Sequence, residues 1–256
     1  MTHAGLAELE RKLRGLSHSD EAIQEVQRFS HGLGGTKERL ATWNTAHAIV
    51  RRPIESGQAA ALGFNTADDA FTLLQGDVVR TESGFFLGER VTGRPKYAVL
   101  NSSCDLVPGR SSYAALLRIL ELRSEEERAK EKLGTSKNDA QDGRGVKRPA
   151  QRANVFRSLL AARIRALCAL LKFTWRDSMY LRVLPDDDHD VIGNVIRFDG
   201  ICQIRSAELL LSHRLVSLSL VGWRIFWSFA RTVIAGANPR EAELRQAVEE
   251  IGAPDG

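Results

Sequence analysis

The segment Asn101-Ser102-Ser103-Cys104-Asp105-Leu106 gathers two hydroxyls, a thiol and a carboxylate just after the apolar run Tyr97 to Leu100. These are side-chain types used in nucleophilic and acid–base chemistry. A cysteine nucleophile needs a base or a positive field beside it. No histidine lies near Cys104 in the chain, and His189 or His213 would have to fold against it. The plainer reading makes Cys104 a packing residue at a strand end and Asp105 the cap of a turn. A second cluster, Asp186-Asp187-Asp188-His189-Asp190, has the composition of a hard-metal site. It lacks the alternating ligands and central glycine of a calcium loop, so a solvated hairpin turn after Pro185 accounts for it. Three cysteines without a CxxC pair offer neither a disulfide framework nor a structural zinc site. Neither a metal nor another cofactor is expected.

Charge is placed unevenly. The net value is only +4, but Arg144, Lys147, Arg148, Arg152, Arg157, Arg163, Arg165, Lys172, Arg176 and Arg182 share their stretch with a single acid, Asp177. Such a block can neutralise nucleic-acid phosphates. It serves equally as a solvated helix face or a dock for an acidic partner. Trp223 and Trp227, with Phe226, Phe229, Arg224 and Arg231, offer the same two readings: base-stacking aromatics beside cations, or an apolar core or homodimer face at helical spacing.

The elements that must position these groups follow from periodicity. Leu6, Leu9, Leu13 and Leu16, then Ala22, Ile23 and Val26, predict amphipathic helices over residues 3 to about 50, with Gly32-Leu33-Gly34-Gly35 as a hinge. Thr36 then caps a third helix carrying Leu40, Trp43 and His47. From Leu73 the period shortens, and Val78-Val79, Phe85 to Leu87, Tyr97 to Leu100 and Tyr113 to Leu122 predict short strands of a meander closing on itself. Residues 124–151 read as a disordered linker, dense in charge and poor in aliphatics. A basic amphipathic helix follows at 152–172, then strands at Met179 to Leu184 and Val191 to Phe198, and helices at about 206–235 and 239–251. The expected fold is α+β, with an N-terminal helical region over 1–70, a five- or six-stranded small barrel over 71–205 interrupted by linker and helix, and C-terminal helices over 206–256. No run of apolar residues reaches a membrane-spanning length and no secretory leader is visible, so a cytoplasmic protein is expected.

Three segments, taken in order, resemble the MazF and PemK toxin endoribonucleases. They are Gly76-Asp77-Val78-Val79; Gly93-Arg94-Pro95-Lys96-Tyr97-Ala98-Val99-Leu100-Asn101-Ser102; and Ala114-Ala115-Leu116-Leu117-Arg118-Ile119-Leu120, with a weaker echo at Asn194 to Ile201. Ser103-Cys104-Asp105-Leu106 is also similar to a group of poorly characterised bacterial proteins to which no activity attaches. The first resemblance implies an SH3-like barrel and metal-independent RNA cleavage. It implies Arg94 as phosphate clamp, Arg118 assisting from the next strand, Asp105 as base, and Ser102 and Ser103 as hydroxyl donors to phosphate oxygens. Arg148, Arg152, Arg157, Arg163, Arg165 and Lys172 would then hold the RNA. The family's serine or threonine at the end of the third strand is matched only loosely by Ser124, and the N-terminal helices and the insertion from Ser124 to Arg176 have no counterpart in it. The implied partners are RNA or another nucleic acid and an antitoxin or other operon-encoded protein, in toxin–antitoxin or phage-defence settings. The alternative is a non-enzymatic protein- or nucleic-acid-binding module of a bacterial defence or regulatory complex.

Overall fold

The computed structural model describes residues 2–16, 20–45, 47–53, 73–93, 95–103, 105–106, 109–124, 161–162 and 164–234. Among them are three N-terminal helices, α1 (Thr2–Gly15), α2 (Asp20–Gly32) and α3 (Thr36–Trp43), followed by β1 (Val50–Arg51). Next come β2 (Val78–Arg80), β3 (Phe85–Phe86), β4 (Glu89–Arg90), β5 (Lys96–Val99) and β6 (Tyr113–Arg123). Helix α4 occupies 164–171, and residues 161–162 are also helical. The chain continues through β7 (Ser178–Leu181), β8 (Val191–Arg205), α5 (Ser206–Leu210), β9 (His213–Leu218) and α6 (Leu220–Ile234). The fold is α+β.

All strand pairs are antiparallel, in the order β1-β9-β2-β5-β6-β8-β3-β4, with β7 also paired to β8. Among the described residues the end strands β1 and β4 do not meet, so the sheet is open where a closed SH3-like barrel was expected. The reason lies in β8. Its fifteen residues hydrogen-bond β7 with one half, through Asn194 to Arg197, and β3 with the other, through Gln203, while β6 runs beside it throughout. A strand so long and so shared spreads the sheet instead of curling it shut.

The strand period decides which side chains face which layer. Val78, Ala98 and Leu117 enter the larger core with α1, α2, α3 and α6; Val79, Tyr97, Val99 and Leu116 enter a smaller core on the other face with Cys202 and Ile204. Helix α4 is tied to the N-terminal helices through its last carbonyls, which a helix leaves unpaired. Trp43 Nε1 and Ser30 Oγ both donate to Leu171 O (3.0 and 2.6 Å), and Gln27 Nε2 donates to Phe173 O (2.7 Å). Phe173, at φ +54°, ends the helix in the left-handed conformation without a glycine and stacks edge-on against Trp43 at 5.0 Å.

Two expectations need correction. The helix foreseen over 206–235 is α5, β9 and α6. Leu215, Val216 and Leu218 suit a buried strand as well as a helix, and their strand partners, β1 and β2, lie far back in the chain. Helix α3 stops at Trp43, so His47 sits beyond it at φ +69° rather than on its face. The linker predicted at 124–151 lies outside the described residues apart from Ser124, as do residues 152–160 of the basic helix and the helix expected at 239–251.

Candidate functional site

The turn Leu74–Asp77 is the floor of the site. Gly76 has φ +84°, and a Cβ there would collide with the Leu218 side chain, so only glycine fits both the backbone and the neighbour. Asp77 is fully buried. Its Oδ2 accepts the Leu74 N–H at 2.9 Å, closing its own turn, and takes a second contact from Arg214 Nη1 at 3.3 Å. Burial pushes the Asp77 carboxyl above the usual carboxylate range, against the lowering effect of the Leu74 N–H, Ser217 and Arg214. The hydroxyl of Ser217 is close enough to act on that carboxylate, although Oδ1 and Ser217 Oγ fall short of full hydrogen-bond geometry.

The floor is stitched to the end of β5. Gly76 N donates to Val99 O (2.8 Å), Gln75 Nε2 to Leu100 O (2.8 Å), and Gln75 N to Ser103 Oγ (3.1 Å). Gln75 Oε1 accepts from Trp223 Nε1 of α6 at 3.2 Å. Helix α6 is itself placed by Ser219, whose Oγ accepts Gly222 N as an N-cap and donates to Ala48 O, at 3.0 and 2.9 Å. A Cβ at Gly222 would strike the backbone oxygen of Ile49, which keeps α6 pressed on the segment leading to β1.

Around this floor lies a cavity of about 770 Å³, lined among others by Arg14, His47, Arg51, Gln75, Asp77, Ser102, Ser103 and Trp223. Glu10 also lines it and pairs with Arg14 at 3.2 Å. Arg51 has no carboxylate partner among the described residues, and His47 is exposed. The cavity therefore offers a half-buried guanidinium, a second one balanced by Glu10, an imidazole, two hydroxyls and an indole. These groups can hold an oxyanion, move a proton and pack against a ring.

A second cavity, of about 350 Å³, opens at the other end of β5 and is lined by Arg80, Thr92, Gly93, Pro95, Lys96, Tyr97, Arg118, Glu121, Arg123, Asp186 and Asp188. Here the acidic turn Asp186–Asp190 meets its counter-charges. Buried Lys96 pairs with Asp187 and, at 2.7 Å, with Glu121; Arg123 reaches Glu121, Asp188 and Asp190; Arg80 reaches Asp186 at 2.7 Å. Burial alone would raise the Glu121 carboxyl, but hydrogen bonds from Lys96 and Arg123 outweigh it and bring it below its ordinary value. Asp187 also accepts Leu184 N and Asn194 Nδ2. The turn is thus not simply solvated, since the side chains of Asp187 and Asp190 are buried. Among the described residues no three His, Cys, Asp or Glu side chains form a metal-holding group.

No family model matches the chain, and neither a curated protein nor a solved structure is found to be similar to it.

The residues singled out in the sequence are distributed between the two ends of β5. Ser102 and Ser103 line the larger cavity; Arg118 lines the smaller one, its guanidinium carbon 5.1 Å from the centre of the Phe86 ring. The seven residues from Lys96 to Ser102 make six steps, roughly 20 Å of extended chain, which sets the two cavities at opposite ends of β5. Asp105 is exposed in the turn, its N–H donating to Ser102 O at 2.9 Å, and it is not among the residues lining either cavity. Arg165 is exposed on α4 and Lys172 is half-buried at its end. Arg94, Arg148, Arg152, Arg157, Arg163 and Cys104 lie outside the described residues. Of the aromatics on α6, Phe226 and Phe229 are core, whereas Trp223 reaches the larger cavity. Cys202 is buried, and burial pushes its thiol up to about 11, so it is a packing residue at neutral pH.

Sequence reasoning missed Arg14, His47, Arg51 and Gln75. The first three come from the N-terminal segment, whose periodicity speaks only of packing. The one local signal is the departure from helix after Trp43, which frees His47 to take a left-handed backbone.

Proposed function

We propose that the protein acts on RNA, binding a single-stranded segment in the 770 Å³ cavity and cleaving it as a metal-independent endoribonuclease. The observation that carries this reading is the convergence of Arg51, Arg14, His47, Ser102 and Ser103 on one cavity beside the indole of Trp223. In such a reaction the ribose 2'-oxygen forms a bond to phosphorus while the bond from phosphorus to the 5'-oxygen breaks, leaving a 2',3'-cyclic phosphate and a 5'-hydroxyl. One proton leaves the 2'-hydroxyl and one reaches the departing oxygen. His47 is the group suited to that exchange, because its two ring nitrogens can respectively give and take a proton. Arg51 and Arg14 would hold the phosphate and the charge that builds on it, and the serine hydroxyls would orient its oxygens. His47 thereby takes the base role that the family resemblance gave to Asp105. The SH3-like kinship belongs to the same proposal, with β2, β5, β6 and β8 as its shared portion.

On this reading His47→Ala lowers the cleavage rate of a synthetic single-stranded RNA by about 10²–10⁴-fold while leaving its affinity nearly unchanged. A wild-type protein that binds RNA but yields no cyclic-phosphate ends would instead support the non-enzymatic module. That second reading is favoured by an exposed apolar patch, where Phe85, Leu87, Tyr113 and Ile201 border a groove away from both cavities.

A further inference from the structure

The β3–β4 hairpin turns through two residues, Leu87 and Gly88, both at positive φ (+51° and +85°). This is the φ pattern of a type I′ turn, whose first central position suits Asn, Asp or Gly because a bulky side chain is strained in the left-handed region. Leucine stands there instead, and it is 87% exposed. At that exposure its side chain packs little against the described residues. An apolar residue that breaks the local rule at a solvent-facing tip, with no packing to compensate, marks a surface that something else covers.

The tip stands beside an uncovered part of the sheet. Cross-strand partners share a face, and the register sets Phe85 opposite Gln203, Gln203 opposite Ala115, Arg205 opposite Tyr113 and Ile201 opposite Leu117. All of these residues therefore lie on one side. Leu117 on that side enters the larger core with the helices, but toward Tyr113 the face emerges into solvent: Phe85 is 47%, Tyr113 58% and Ile201 42% exposed. Together with Leu87 they border a groove of about 720 Å³. With about 150–250 Å² for a whole aromatic side chain and somewhat less for an aliphatic one, these exposures leave roughly 450 Å² of apolar residues facing water. That equals the largest patch on an ordinary monomer.

We propose that two copies of the chain meet on this face, as a twofold pair in which Leu87 of each copy enters the groove of the other. Knob and groove lie side by side on one molecule, which is the self-complementarity that an isologous interface requires. The charged groups of the lining are one cation, Arg205, and one acid, Glu208, so two copies bring no net like charge together and a polyanion finds no basic surface there. With Gln203 and Arg205 of the same lining, both copies together reach the roughly 1,000 Å² that a specific interface needs. The groove shares no lining residue with the larger or the smaller cavity, and the inference stands or falls without the RNA reading.

Sedimentation velocity of the full chain over a range of concentrations tests the assignment. The expected result is a reversible monomer–dimer equilibrium, weakened about a hundredfold or more by Leu87→Asn, which removes two leucines from the pair, and about tenfold or more by Tyr113→Ser. Ile164→Gln, at an exposed position on α4 outside the groove, leaves the equilibrium unchanged. Diluted until both are monomeric, Leu87→Asn should unfold at the same midpoint as the wild type or a higher one, because asparagine suits the turn better than leucine. Loss of the dimer is thereby separated from loss of the fold. A wild-type protein that stays monomeric at every concentration, or a Leu87→Asn protein that dimerises with undiminished affinity, overturns the proposal. So does a lowered midpoint in Leu87→Asn, which would mean that Leu87 packs within its own chain.

Discussion

The two ends of β5 carry similar side chains to different effect. At the Lys96 end, cations and acids are packed until nearly every charge has a partner. At the Ser102 end, Arg51 lacks a carboxylate partner among the described residues and His47 is exposed beside an open cavity. Matched charge spends its electrostatic energy inside the molecule and fixes β5, β6, β8 and the acidic turn against one another. Surplus charge has that energy still available for a ligand.

The largest effect should come from breaking the matched end. Lys96→Ala leaves Asp187 and Glu121 without their shared cation, and removing one member of a buried ion pair costs about 3–5 kcal/mol. Denaturant unfolding reads this directly. At the open end the comparable structural break is Gly76→Ala, which forces a Cβ onto Leu218 at a positive φ and should cost about 1–3 kcal/mol.

The two ends also answer pH with opposite signs. Glu121, held below its ordinary pKa, contributes stability above its unfolded value of 4.5, and that contribution disappears as pH falls through the folded value. Asp77, held above its ordinary 3.8, binds its proton more readily folded than unfolded, so it costs stability as pH rises through its folded value and the cost is relieved in acid. Acid unfolding should therefore become less steep in Glu121→Gln. In Asp77→Asn the relief on acidification should vanish.

Smaller still is the expected cost at the rim of the matched end. Asp188 is 67% exposed in its pair with Arg123, and Asp188→Ala should lower stability by less than about 1 kcal/mol. A loss as large as that of Lys96→Ala would mean that the network is not layered from buried to exposed.

The strands were legible where alternation was local. Val78-Val79, Tyr97 to Val99 and Leu116-Leu117 send successive side chains to opposite cores, as a period of two requires. β9 was not legible, because its apolar run is explained only by partners about 140 and 170 residues earlier in the register with Val78 and Val50. The open sheet likewise depends on how β8 divides its edges, which no single segment specifies. At the site, Ser102 and Ser103 stood out by residue type, but Arg51 and His47 looked like the tail of a helical region. The Gly-Asp pair proved to be structural: glycine for the turn, aspartate to close it. The acidic turn was readable as a cluster, but its cations arrive from β2, β5 and β6 and were invisible beside it.

The most direct measurement is the affinity of a labelled single-stranded RNA for the wild type and for Arg51→Gln at two salt concentrations, with the unfolding midpoint of each. The account predicts affinity lower by about tenfold in Arg51→Gln, a salt slope reduced by about one, and stability within about 0.5 kcal/mol of wild type. Equal affinity and equal salt slope in the two proteins would contradict it.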